Sequence, residues 1–373
     1  MPACLLIADD LTGACDAAVH FAMRGHRTVV SLDPRLDACD ADALAVSTES
    51  RGLGQRELRA MFADLGGADH RFMWSANGPS AQARMLFKKI DSTLRGNVGA
   101  EIALAAEAFG CESVLITPAF PAMNRTVASG VLRVAGAAFE QIDMAAYWRA
   151  QGLCGCAHVP PGGVAAALAA GTRFISIDAA ADSDLDAIAA SGLASARRVL
   201  WAGSAGLASA LARAVARGPH EEAGHAERHA AVLFCIGSDH PVTIEQQREL
   251  AAARPVVAAN AEMAKSDSIA GALHRGMHVA LRVPYGRVSP ERIGQVIGDW
   301  RGPLALSGGA TASLVCRALG VREIRLHREI APGIPGGVIA GGLFDGAPIV
   351  TKSGGFGKPG ALIQIADYFT CLQ

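Results

Sequence analysis

Residues 88–95 of the chain read Lys-Lys-Ile-Asp-Ser-Thr-Leu-Arg, followed by Gly96 and Asn97. Lys89, Asp91 and Thr93 recur at period two, as on one face of a strand end or an extended loop. Cations suited to a carboxylate lie beside a carboxylate and hydroxyls suited to hydroxyl groups. That is the complement of a small polyhydroxylated acid. Alone, an Asp-Ser-Thr run is an ordinary capped loop. Two further stretches raise it to a candidate site: Ile7-Ala-Asp-Asp-Leu-Thr-Gly-Ala14 and Thr351-Lys-Ser-Gly-Gly-Phe-Gly357. Asp9 or Asp10 is a natural helix N-cap, but two adjacent aspartates exceed what a cap requires. Gly13 lets backbone approach a ligand closely. Arg51 follows an apolar run and is a candidate carboxylate clamp.

Rigid elements must hold these residues. Short apolar runs at 4–8, 27–32, 43–46, 85–90, 113–117, 173–178 and 198–201 read as strands. Helical spacing falls between them at 11–23, 98–108, 182–190 and 207–216. Such alternation predicts an α/β fold with a mostly parallel sheet covered on both faces. Ligands of such sheets bind at the carboxyl ends of the strands, where Asp10, Arg51 and Lys89 would lie. The proline-rich loop 118–126 belongs to the same edge.

Residues 217–229 are polar, aperiodic and contain Gly and Pro, as a linker would. A second α/β unit then begins, with strands at 231–236, 279–283 and 304–306 and helices at 243–253 and 313–319. Two domains are expected, 1–220 and 229–373, each with a mostly parallel sheet flanked by helices. The second is rich in glycine turns: Gly237-Ser238, Ser307-Gly308-Gly309-Ala310-Thr311 and Lys352-Ser-Gly-Gly-Phe-Gly357. Glycines admit a phosphate to backbone amides, and a helix N-terminus adds partial positive charge. None of these turns is a Walker A motif, and no G-x-G-x-x-G follows the first strand. An acid-binding half beside a phosphate-binding half has the parts of a phosphoryl-transfer enzyme.

The bulk numbers remove other classes. A 373-residue chain with 51% hydrophobic residues and 42 glycines suits a soluble α/β protein. A net charge of −1 makes no case for nucleic acid or an anionic membrane. The apolar run at 4–8 is too short for a signal peptide or a membrane span. Nine scattered cysteines point to reduced thiols in a cytoplasm. The Cys154-Gly-Cys156 pair with His158 lacks a fourth zinc ligand and reads as idle thiols.

Taken together, Ala8-Asp-Asp-Leu-Thr-Gly-Ala14, Lys89-Ile-Asp-Ser-Thr-Leu-Arg-Gly96, Pro118-Ala-Phe-Pro121, Gly203-Ser-Ala-Gly206, Ser307-Gly-Gly-Ala-Thr311 and Lys352-Ser-Gly-Gly-Phe-Gly357 resemble the four-carbon acid sugar kinase family. The match runs in order over nearly the whole chain. Its members include ATP-dependent kinases of threonate, erythronate and 3-oxo-tetronate. The resemblance implies a sugar-acid site at Asp10, Arg51, Lys89, Asp91 and Ser92. It implies an ATP site at Ser238, Gly308, Gly309, Ala310, Thr311 and Gly355, with Mg2+ bridging the phosphates. Asp10 or Asp91 would orient or deprotonate a terminal hydroxyl, while Arg51, Lys89 and Arg95 would hold the carboxylate. Three departures stand out: Asn124-Arg125 where relatives commonly have Gly-Arg, Asp239-His240 where they tend to have a second small hydroxyl residue, and a shorter chain than typical members, mainly around residues 140–170. The first two keep a non-catalytic sugar-acid or nucleotide sensor as the alternative. An oxidoreductase lacks its fingerprint. The oligomeric state, homo-oligomer included, is left open.

Overall fold

A computed structural model of the chain describes residues 3–33, 40–67, 85–135, 141–218 and 228–370. The first half is built on strand Cys4–Ala8, buried throughout and paired on both sides, which explains its unbroken apolar sequence. Across this block the order is Thr28–Ser31, Ala43–Ser47, Cys4–Ala8, Met85–Lys89, Val199–Gly203, Ser113–Thr117, Phe174–Ile177 and Ala157–Val159. All of these neighbours are parallel. Register brings Ala8 level with Ser47 and Lys89, and Gly203 level with Lys89 and Thr117. The strand ends that carry the candidate residues therefore share one edge.

The second half repeats the pattern with Val256–Asn260, His278–Arg282, Leu233–Ile236, Leu304–Ser307 and Pro348–Lys352, again parallel. The expected α/β architecture is present, but the two parallel blocks are not separate sheets. Strand Glu323–Ala331 pairs antiparallel with Thr28–Ser31 and with Ile334–Ala340, and the latter pairs with Pro348–Lys352. Among the described residues, one sheet of fifteen strands results. The reason is local: Ile324 and Leu326 are buried while Arg325 between them is exposed, so this segment has strand period. An edge strand offered by each block is satisfied by this hairpin. Most of the proposed linker, 219–227, lies outside the described residues.

Helix starts also differ from the expectation. The helix placed at 313–319 begins at Gly309 and runs to Ala318, because Gly308 at φ +104° forms the turn alone. Ser204 caps Ala205–Ala214, accepting from the Gly206 amide at 3.0 Å and donating to the Ala119 carbonyl. Ser204→Ala should lower unfolding free energy by about 0.5–2 kcal/mol in urea titrations. An unchanged midpoint would show that the cap is dispensable.

Candidate active site

The doubled aspartate divides its tasks. Asp10 caps helix Leu11–Ala22, its Oδ1 accepting from the Gly13 amide at 2.6 Å. Asp9 takes a two-pronged pair from Arg51, with Nε at 2.8 Å and an Nη at 3.1 Å. The same guanidinium reaches Asp10 Oδ2 at 2.8 Å and approaches Asp91 at 3.8 Å. Arg51 thus gathers three carboxylates, and they hold its guanidinium charged in spite of burial.

Asp91 is saturated. It accepts from the Thr93 amide at 2.8 Å, from the Thr93 hydroxyl, and from Arg95 at 2.6 and 3.1 Å. Burial opposes its charge, but Arg95, Lys89 and Thr93 outweigh burial and hold the carboxyl well below the usual range. Leu94 beside it sits at φ +62°, a strained setting for a leucine, with its carbonyl held by Tyr147 at 3.0 Å. Asp10 behaves oppositely. Burial and then Asp9 raise its carboxyl, against the pull of Arg51, Lys89 and the Gly13 amide. Among the described residues Lys89 donates one hydrogen bond, to the Ile90 carbonyl at 2.9 Å, which leaves two ammonium protons for a ligand.

Asp10, Arg51, Lys89, Asp91 and Arg95 line one pocket with Ser92, Phe120, Ser204, Ser353 and Phe356. The last two come from the second half, through the loop after Pro348–Lys352. Ser353 Oγ lies 3.2 Å from Thr12 Oγ1, and Phe356 meets Phe120 edge-on at 6.5 Å. A Cβ built on Gly309 would stand 2.8 Å from Asp10 Oδ2. The glycine turn of one half therefore touches the aspartate of the other.

The three glycine loops converge as well. A Cβ on Gly308 would lie 3.6 Å from the Ser238 amide, and one on Gly354 would lie 2.1 Å from Ser238 Oγ. Gly355 packs on the His240 ring, and Thr311 packs on Gly237. Gly309, Ala310 and Thr311 form the first turn of their helix, where amides have no intrahelical acceptor. Lys352, fully buried, donates to the carbonyls of Ser353, Gly354 and Phe356 at 3.0–3.2 Å. It shapes this loop from within; burial alone lowers its ammonium to about 8.

The first two departures have conformational explanations. Asn124 adopts φ 58°, ψ 39°, a left-handed setting that Asn tolerates best after glycine. His240 caps helix Pro241–Ala253 through Nδ1, and Asp239 pairs with Arg282. Sequence reading overlooked Asp16, Ser204 and Phe356 as pocket residues. A charged residue inside the apolar run 11–22 was the available signal for Asp16.

Two family descriptions match. A sugar-binding N-terminal domain covers residues 4–147 and 155–211, and a nucleotide-binding C-terminal domain covers 290–362. The chain is 32% identical to a D-threonate kinase of Bordetella bronchiseptica over 97% of this chain and 96% of that one. It is 31% identical to a D-threonate kinase of Cupriavidus necator over 96% of each. Among solved structures, a Salmonella typhimurium protein shares the fold with a TM-score of 0.76 at 22% identity, covering 98% of this chain and 99% of that one.

Proposed function

The chain belongs to the four-carbon acid sugar kinase family, and from that membership we propose that it phosphorylates a four-carbon sugar acid with ATP, at the terminal hydroxyl. Threonate is the first substrate to try, since both relatives above are named for it. The observation that carries the reading is the approach of the Gly309 turn to Asp10. It would bring phosphate and acceptor hydroxyl into one site, as in-line transfer requires.

In this reading the γ-phosphate rests on the free amides of Gly309, Ala310 and Thr311, flanked by Ser238, Gly308 and Gly355. The division into a sugar-acid half and a nucleotide half follows from the same assignment. Lys89 and Arg95 hold the substrate carboxylate, with Ser92 on a hydroxyl. Asp10 is assigned as the base. Its raised carboxyl suits proton acceptance, whereas Asp91 is committed to Thr93 and Arg95 and is assigned to positioning. The hydroxyl oxygen attacks the γ-phosphorus, the bond to ADP breaks, and the hydroxyl proton passes to Asp10. Mg2+ carried by the phosphates of ATP would neutralise their charge at this turn, which leaves Asp10 to the proton. The nucleoside is assigned to a cavity of about 370 Å³ beside Val283, Val288 and Leu314, with Tyr285 exposed at its mouth. Tyr285→Ala should raise the ATP KM and leave the acid KM unchanged; equal KM values would remove this cavity.

Incubation with ATP and a panel of four-carbon acids, read as ADP release, tests the proposal. Acid-dependent release supports it. Tight binding of an acid or of ATP without turnover would favour the sensor reading instead.

A further inference from the structure

Helix Leu11–Ala22 carries Asp16 and His20 four residues apart, on neighbouring turns of one face. Glu329 lies on strand Glu323–Ala331, against which this helix packs. One ligand-type atom from each of Asp16, His20 and Glu329 lies within 4.8 Å of the other two. Asp16 is 3% exposed, and both its Oδ1 and the His20 Nε2 are buried without a hydrogen-bond partner among the described residues. Two such orphaned atoms, on residues one helical turn apart, are costly unless a partner meets them. Glu329 is oriented by the Gly333 amide, which donates to it at 2.9 Å.

We infer that Asp16, His20 and Glu329 bind a divalent transition-metal ion of the Mn2+ or Zn2+ class across the seam between the two halves. Two carboxylates and one imidazole form a mixed oxygen and nitrogen set, which suits such ions better than Mg2+, an ion that keeps to oxygen ligands and water. Bond lengths near about 2.1 Å require the three groups to close by about an ångström. Burial already sets the protonation. It lowers His20 to about 4, leaving the ring neutral and able to ligate. It raises Asp16 to about 7 against the pull of Lys89 and with the push of Glu329. A cation reverses that last penalty. Asp16 also lines the pocket that holds Asp10 and Lys89, so the ion would stand at the pocket wall. It is a separate ion from any Mg2+ brought by ATP.

The test needs neither ATP nor acid, so its outcome is independent of phosphoryl transfer. Chelator-treated protein is titrated with Mn2+, followed by electron paramagnetic resonance, and with Zn2+, followed by Tm. One ion per chain and a rising Tm are expected. His20→Gln and Glu329→Gln should each weaken binding about 100-fold, with folding checked by circular dichroism. Absence of binding by the wild-type protein overturns the inference. So does undiminished affinity in either folded variant, or a Tm rise matched by Mg2+ alone. If one variant fails to fold, the other and the wild-type stoichiometry decide between these results.

Discussion

Asp10→Asn should lower kcat about 10²–10⁴-fold, the usual contribution of a general base. The fold should survive, for two reasons. Asn caps a helix nearly as well as Asp, so the Gly13 amide keeps its acceptor. Arg51 keeps both hydrogen bonds to Asp9 when it loses Asp10, so the guanidinium is not stranded. The acid KM should change little, because the lost group acts on the proton and not on the carboxylate. Asp91→Asn is the control. It breaks a network of Thr93 and Arg95 contacts and should mainly raise the acid KM. A wild-type kcat for Asp10→Asn would end its assignment as base. A larger kcat loss in Asp91→Asn would transfer that role to Asp91.

Gly309→Ala tests the junction directly. Alanine is a better helix former than glycine by about 0.5–1 kcal/mol in a helix interior, which offsets part of the cost of crowding the pinned Asp10 carboxylate, and Tm measures that balance. Its methyl group, however, would stand 2.8 Å from Asp10 Oδ2 and 3.4 Å from Thr12 Oγ1. It would occupy the junction where the proposal places the phosphate and the base. Displacing a reacting group by about 1 Å costs about 10²-fold, so kcat/KM for ATP should fall at least that far. Gly308 is a poorer choice for this test, since its φ of +104° penalises any side chain through the backbone alone. A Gly309→Ala enzyme with unchanged ATP kinetics would remove this turn from the phosphate site.

Local sequence carried much of this. The apolar strand 4–8 and the doubled aspartate after it were legible because a buried parallel strand and a helix cap each have a short-range signature. The glycine turns were legible for the same reason, and so was the basic and acidic run at 88–95. The roles of the charged residues were not legible. Arg51 read as a substrate clamp, yet it spends its donors on Asp9 and Asp10, partners 42 and 41 positions away in the chain. Asp91 and Asp10 were equivalent as sequence; their separation comes from Arg95 and Thr93 on one side and from burial beside Asp9 on the other. Asp16, His20 and Glu329 could not have been grouped at all. Glu329 reaches the helix only because the antiparallel strand Glu323–Ala331 joins the two parallel blocks. By itself, then, the sequence determined the α/β elements, the turn chemistry and the inventory of charges, since these depend on neighbours within a few residues. Only the tertiary structure decided which charges neutralise one another and that both halves share one sheet and one pocket, because burial and long-range pairing exist only once the chain has folded.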